Sequence, residues 1–323
     1  MRMRTIIFLI FSLYCIIMKV AIFQGYCDIH FECDAYLLEA YRNEDVTLFT
    51  QHHPVADEYD RFFSKFFTYT RKHICEYNVD NYDLTVLVSD DDPFFPNDIP
   101  MNKVIVVNHG RDLFRRNNII WHIHNRPYRN NDVPWALPVW QHTPKEEKLT
   151  LINKPPVIAC IGYGCHADIS VYQSIIANNP DATINVMGRF VNFPSAPQVN
   201  WLQFVPLESM FEIVKNSTHI LFTDQSDCRS KNCMSATMII ALATGCQIIM
   251  PSNWEYDCLV APIRFDRFDD IRVPRLTEEI IDSIYQDRQN MVEHRDKTLM
   301  DMYAKMRGVG GDYSSTKKDD RNE

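Results

Sequence analysis

The stretch 201-WLQFVPLESMFEIVKNSTHILFTDQSDCRSKNCMSATMIIALATGCQIIMP-251 decides the fold, because it reads strand, helix, strand, helix, strand with a polar loop at its centre. Residues 201–205 form a short apolar run, after which Leu207, Met210, Phe211 and Val214 recur at the spacing of one helical face. Residues 219–223 are a second apolar run, short enough for a strand buried on both sides, and residues 224–233 follow as a loop without apolar periodicity. Ser235 stands where an N-cap would, before an apolar helix over 236–244 that Gly245 ends as a left-handed C-cap. Residues 247–250 then run into Pro251 as another strand. A loop that delivers Arg229, Lys231 and Ser235 to a helix start, directly after a buried strand, is where an α/β protein holds a phosphate. The pattern therefore predicts a nucleotide ligand.

Outward from this stretch the same alternation continues. Apolar runs at 20–23, 46–50, 84–88, 104–107 and 119–123 read as strands, with a helix over 28–42 between the first two. A second series begins at 157–161, continues through 184–187 into the quoted stretch, and closes with a strand at 263–265 and a long charged helix over 277–306. Between the two series lie Pro127, Pro134, Pro138 and Pro144 and a charged run at 145–148, which reads as a linker. The expected organisation is a hydrophobic leader over 1–18, a Rossmann-like domain over 19–140, a linker over 141–156, a second Rossmann-like domain over 157–306 and a polar tail over 307–323. The expected fold class is α/β, two parallel-sheet domains facing a central cleft.

With 323 residues the chain is long enough for two ordinary domains, and 46% apolar and 23% charged residues are values of a globular protein. A net charge of -9 argues against nucleic acid as a partner, since such binders carry a basic face. Ten cysteines include no CxxC pair, and Cys160, Cys246 and Cys258 fall inside apolar runs, which points to buried free thiols in a reducing compartment. The triplet Asn216, Ser217, Thr218 fits a glycosylation acceptor but falls at a helix end, where chance is the better explanation. Residues 1–4 are basic and 5–18 almost wholly apolar, like a signal peptide or short anchor, yet the run is shorter than the about 20 residues a span needs and lacks a small-residue cleavage pattern. Two readings stay open: Met18 is the working start, or residues 1–18 attach a cytoplasmic protein to a membrane.

Two tandem nucleotide-binding-like domains joined by a proline-rich linker resemble the GT-B glycosyltransferases. Residues 157–251 are similar to the retaining family whose members include sucrose and glycan-assembly transferases. Segment 232-NCMSATMIIALATGCQII-249 follows the frame of that family's EGFGLVLLEAMACGKPVI. In the first domain the resemblance is mostly architectural. Two departures stand out: the family's acidic pair falls on Asn232 and Ile240, and the Arg and Lys that clamp the donor diphosphate fall near Tyr163 and His166 or Asp168.

The resemblance implies a nucleotide-sugar donor held by the second domain. The candidates are Arg189, Arg229 and Lys231 as substitute cations, the glycine-loop fragment Gly162 and Gly164, and Ser235 and Ala236 at the helix start. In the first domain the strand over 104–107 runs into Asn108, His109 and Gly110, which resembles a strand-end segment of these transferases. By that position His109 faces the cleft and serves as general base if the sugar's configuration is inverted, or touches the sugar if it is retained. Gln24, Gly25 and Tyr26 line the acceptor side.

Other clusters compete with this reading. Asp90, Asp91 and Asp92 resemble a metal-binding DxD, but one cluster supplies too few oxygens for a hard cation, and a solvated strand-end loop before Pro93 is the preferred reading. The pairs His52, His53 and His122, His124 lack partners at metal-ligand spacing, and Trp121, Trp135 and Trp140 serve core packing more readily than sugar stacking. The expectation is a glycosyltransferase that moves a sugar from a nucleotide-diphosphate donor to a glycan or other hydroxyl acceptor, with no cofactor and no divalent metal. A nucleotide-sugar epimerase of the same plan, or a catalytically silent sugar-binding homologue, are its alternatives.

Overall fold

The computed structural model describes residues 17–25, 31–88, 92–96, 103–108, 121–124, 142–161, 168–188, 196–223, 236–254, 259 and 262–306. The first sheet contains β1 (Lys19–Gln24), β2 (Asp45–Thr50), β3 (Thr70–His73), β4 (Leu84–Leu87), β5 (Val104–Asn108) and β6 (Trp121–His124), all parallel, in the order β3-β2-β1-β4-β5-β6. Helices α1 (Phe31–Ala40) and α2 (Pro54–Phe63) connect its early strands. The second sheet holds β7 (Val157–Ile161), β8 (Thr183–Gly188), β9 (Val199–Gln203), β10 (His219–Leu221), β11 (Gln247–Pro251) and β12 (Ile263–Phe265), in the order β12-β11-β10-β7-β8-β9. Its strands are parallel too. Numbered from its own first strand, each sheet has the doubly wound order 3-2-1-4-5-6, so the strand order reverses between β1 and β4 and again between β7 and β10. The expected α/β class with two Rossmann-like lobes is thus the observed one.

The central strands are buried on both faces, as parallel strands under helices must be: Val20, Ala21, Ile22 and Phe23 of β1 are 0–1% exposed. In the second lobe α4 (Ile169–Asn178), α5 (Leu207–Lys215) and α6 (Ala236–Thr244) cover the sheet, and α7 (Glu278–Met306) closes the fold. Helix α6 is apolar nearly all round, and Met238, Ala241, Leu242 and Ala243 are buried because the helix has protein on several sides. Gly245 ends it at φ +66°, and a Cβ there would also lie 2.7 Å from the Tyr285 hydroxyl.

The lobes are packed against each other. Helix α1 lies on α6 and α2 on α5, and one continuous apolar cluster runs from Val20, Ile22 and Val86 through Phe62 and Phe63 to Phe211, Met238 and Ala241. The segment expected as linker carries a short helix, α3 (Lys145–Leu149), docked on α7. Its Lys148 is fully buried, donating to the carbonyls of Lys215 at 2.7 Å and Ser217 at 2.8 Å, and burial lowers its pKa. Thr143 donates its amide to the Ala243 carbonyl at 3.0 Å, so the linker is tied to the ends of both α5 and α6.

Several boundaries move relative to the sequence expectations. Strand β9 starts two residues before 201, and the expected 28–42 helix ends at Ala40, while β6 is described over Trp121–His124. Strand β3 and helices α2 and α4 are additional elements. Cys160 and Cys246 are buried free thiols as expected, Cys75 is an exposed one, and Cys258 lies outside the described residues. Ser217 and Thr218 are buried, with hydroxyls bonded to the Ile213 and Val157 carbonyls, which leaves the glycosylation triplet a structural role. No helix among the described residues is long and apolar enough to cross a membrane.

Candidate functional site

In open α/β sheets ligands bind beyond the carboxyl ends of the strands where the order reverses. In the first lobe that place lies past β1 and β4. There β1 ends at Gln24, and the chain after β4 returns at Asp92, whose carboxylate takes the Gly25 amide at 2.6 Å and the Phe94 amide at 2.9 Å. Asp92 is 1% exposed, so the sequence expectation of a solvated acidic loop is corrected for this residue: its carboxyl group is buried and held by backbone donors. A Cβ on residue 25 would sit 2.2 Å from that carboxylate, which is the physical reason for glycine there. The Gly25 carbonyl accepts from the Gln51 side chain, and Gln24 is fully buried. Both backbone polar groups of Gly25 are therefore engaged within the protein. Phe94, by contrast, is 53% exposed.

Further along the same edge, Arg71 donates to the Thr50 hydroxyl at 2.8 Å and pairs with Asp57 at 2.7 Å. The hydrogen bond from Arg71 holds the Asp57 carboxyl below the usual range. The His52 ring stacks on His73 at 4.9 Å, while His53 accepts the Val55 amide and so caps α2. Among the described residues no three His, Cys, Asp or Glu side chains converge as a metal ion would require.

In the second lobe the reversal lies past β7 and β10. Strand β7 ends at Ile161, and β10 is followed by the buried Phe222 and Thr223, after which residues 224–235 lead to α6. Phe222 is fixed by an edge-on contact with the buried Trp254 at 5.1 Å. At its far end α6 presents the Leu242 and Ala243 carbonyls to Arg288 at 3.5 and 3.4 Å, a cation on the negative end of the helix dipole. Helix α4, which follows β7, opens on Asp168, whose carboxylate accepts the Ser170 amide at 2.9 Å. That hydrogen bonding lowers the Asp168 pKa. Asp168 is thus an anionic N-cap of α4.

Of the residues singled out from sequence, Gln24 and Gly25 stand at the first reversal and Ala236 opens α6. His109, Tyr26, Gly162, Gly164, Arg189, Arg229, Lys231 and Ser235 lie outside the described residues, as do Asp90 and Asp91. The structure adds Phe94 and gives Asp92 and Asp168, noted in the sequence, their partners. The Asp-Pro step at 92–93 and the Asp-Ile-Ser start at 168–170 were available as turn and N-cap signals, but the partnership of Asp92 with Gly25 spans 67 positions and has no local signature.

No protein-family model matches the sequence, and no curated protein matches it. Among solved structures, AviGT4, a glycosyltransferase involved in avilamycin A biosynthesis, aligns with a TM-score of 0.57 at 10% identity, covering 90% of this chain and 98% of that one. HepE of Anabaena in complex with UDP-glucose aligns at 0.49 and 9% identity, over 90% of this chain and 99% of that one. UDP-GlcNAc 2-epimerase of Neisseria meningitidis bound to UDP-GlcNAc aligns at 0.47 and 12% identity, over 89% and 100%. At these identities the similarity establishes the fold: two Rossmann-like lobes in the GT-B arrangement.

Proposed function

We propose that the chain transfers a sugar from a nucleotide-diphosphate sugar to a hydroxyl acceptor, with the donor at the carboxyl edge of the second lobe and the acceptor on the first. One observation carries the assignment of sides. At the first lobe's reversal point the buried Asp92 carboxyl group already takes the Gly25 amide, a backbone donor that a phosphate would need. The second lobe has residues 224–235, with Arg229 and Lys231, joining β10 to α6. The alignment with a glycosyltransferase supports the GT-B fold on which this reading rests.

In this reading Arg229, Lys231, Arg189 and the N-terminus of α6 stabilise the departing diphosphate by position and charge, which needs no divalent metal. Gly162, Gly164 and Ser235 belong to the same donor pocket. His109 takes the acceptor's proton if the reaction inverts the sugar. Gln24, Gly25 and Tyr26 belong to the acceptor side, and the exposed Phe94, two residues after Asp92, offers an acceptor a stacking face. The acceptor is a glycan or glycoconjugate.

A second reading has a specific observation behind it. Neither His166 nor the α4 N-cap Asp168, two of the positions near which the resemblance places a cation, carries an Arg or Lys, and buried Ile240 stands at one of the family's acidic positions. Both favour a subunit that binds a nucleotide sugar without turning it over. The test is a thermal-shift screen of the full chain against UDP-, GDP-, ADP- and TDP-sugars, followed by incubation of the stabilising donor with and without an acceptor mixture. Acceptor-dependent release of nucleoside diphosphate, insensitive to chelator, supports transfer. Donor-only turnover indicates an epimerase, binding without turnover the silent reading, and no stabilisation by any donor rejects nucleotide-sugar binding.

A further inference from the structure

We infer that Glu58 of the first lobe is a positioning residue for the second: its carboxylate caps helix α5 across the lobe junction and so sets the strand that leads into residues 224–235. The inference rests on the donor-loop reading above for its functional meaning.

Helix α5 has no N-cap of its own, because Pro206 holds that position and offers no side-chain acceptor. The Leu207 amide instead donates to Glu58 Oε1 at 2.5 Å, from a residue 149 positions earlier in the chain. A carboxylate on the positive end of a helix satisfies an orphan donor and opposes the dipole. Lys148 does the converse at the other end, donating to the carbonyls of Lys215 and Ser217. Helix α5 is thus held at both ends by charges from outside its own lobe's sheet.

The contact advances in step along both helices. Four residues after Glu58, Phe62 stacks on Phe211, four residues after Leu207, at 4.6 Å. His142 fits edge-on against Phe66 at 4.9 Å and Phe211 at 5.7 Å, sealing the junction, and Lys65 pairs with Glu208 at 2.6 Å on its exposed rim. Three residues separate Lys215 from β10, which pairs with β7 and β11 and is followed by Phe222 and Thr223 before residue 224. Helix α5 also packs on α6, the element at the other end of that loop. A shift of α5 therefore reaches both anchors of residues 224–235.

The test is amide hydrogen exchange on the full, ligand-free chain. Glu58→Ala is expected to lower protection at Leu207 by roughly fivefold, the equilibrium equivalent of losing an N-cap, and to raise exchange in β10 as well. Glu58→Gln, which keeps an acceptor oxygen, retains most of the protection, and Lys65→Ala leaves Leu207 and β10 as in the wild type. If the alanine variant does not fold, Glu58→Asp, one methylene shorter, is expected to lose about twofold or more at Leu207. Unchanged exchange at Leu207, or a loss confined to α5 with β10 unaffected, overturns the inference. Because no ligand is present, these outcomes are independent of the donor screen, whose failure would reject the donor reading alone.

Discussion

In the first lobe the Asp92 carboxylate lies against the Gly25 amide at 2.6 Å beyond β1 and β4, whereas in the second lobe the sequence between β10 and α6 contains Arg229 and Lys231. The strand order is the same in both. Topology makes two equivalent places for a ligand, and side chains decide which of them can take an anion. The lobes differ also in how they are held. Helices α5 and α6 of the second lobe are capped by Lys148, Arg288 and Glu58 from the linker, α7 and the first lobe, so that lobe leans on its surroundings.

The sharpest way to break this contrast is to remove the linker cation. Lys148→Ala leaves the Lys215 and Ser217 carbonyls without that donor and opens a void, and should cost about 3 kcal/mol, read as a fall in the urea midpoint. A change below about 0.5 kcal/mol would mean the second lobe holds α5 unaided. Next comes the filled crevice of the first lobe. Gly25→Ala sets a methyl against the Asp92 carboxylate and should cost about 2 kcal/mol, with Gly25→Ala/Asp92→Ala losing less than the sum of the single changes because the two residues are in contact. Strict additivity would show that the carboxylate does not fill the crevice.

Acidification sharpens the contrast further. Burial holds the His142 ring down to about 4 and the His219 ring to about 3, the latter against the opposing effect of its hydrogen bond to Gln247 at 3.0 Å. With folded pKa values below the unfolded value near 6.5, the unfolded chain binds more protons, so this stability is present above that pH and is lost as pH falls towards 4. The melting temperature should decline between pH 6.5 and 4.5, before carboxylates titrate, and His142→Leu should flatten part of the decline. A flat profile in that window would contradict the burial of these rings. The smallest effect is expected at the rim, where Lys65→Ala removes an exposed ion pair with Glu208 and should change stability by less than about 0.5 kcal/mol in the same urea measurement.

Much of this architecture is legible in the sequence, and for definite reasons. The apolar runs that became β1, β4, β7 and β11 are buried on both faces, so hydrophobicity alone marks them. Gly245 announces the end of α6 because no other residue tolerates its φ beside Tyr285. Strand β3, Thr-Arg-Lys-His at the sheet edge, carries no apolar residue and could not be read this way. Helix α2 did carry signals: Pro54 at its first turn, the capping His53, and Phe62 and Phe63 at its end. The site was legible only as residue types placed at strand ends. Which carboxylate folds back onto which amide, as Asp92 does onto Gly25, depends on strands brought together from distant parts of the chain.

The central claim is that the second lobe, and not the first, grips the pyrophosphate of an activated sugar. It is tested most directly by calorimetric titration of the donor selected in the thermal-shift screen into three proteins: wild type, Arg229→Ala/Lys231→Ala and Asp92→Ala. The account predicts saturable binding that Arg229→Ala/Lys231→Ala abolishes and Asp92→Ala preserves. Binding that survives Arg229→Ala/Lys231→Ala but is lost in Asp92→Ala would place the nucleotide on the first lobe and contradict it.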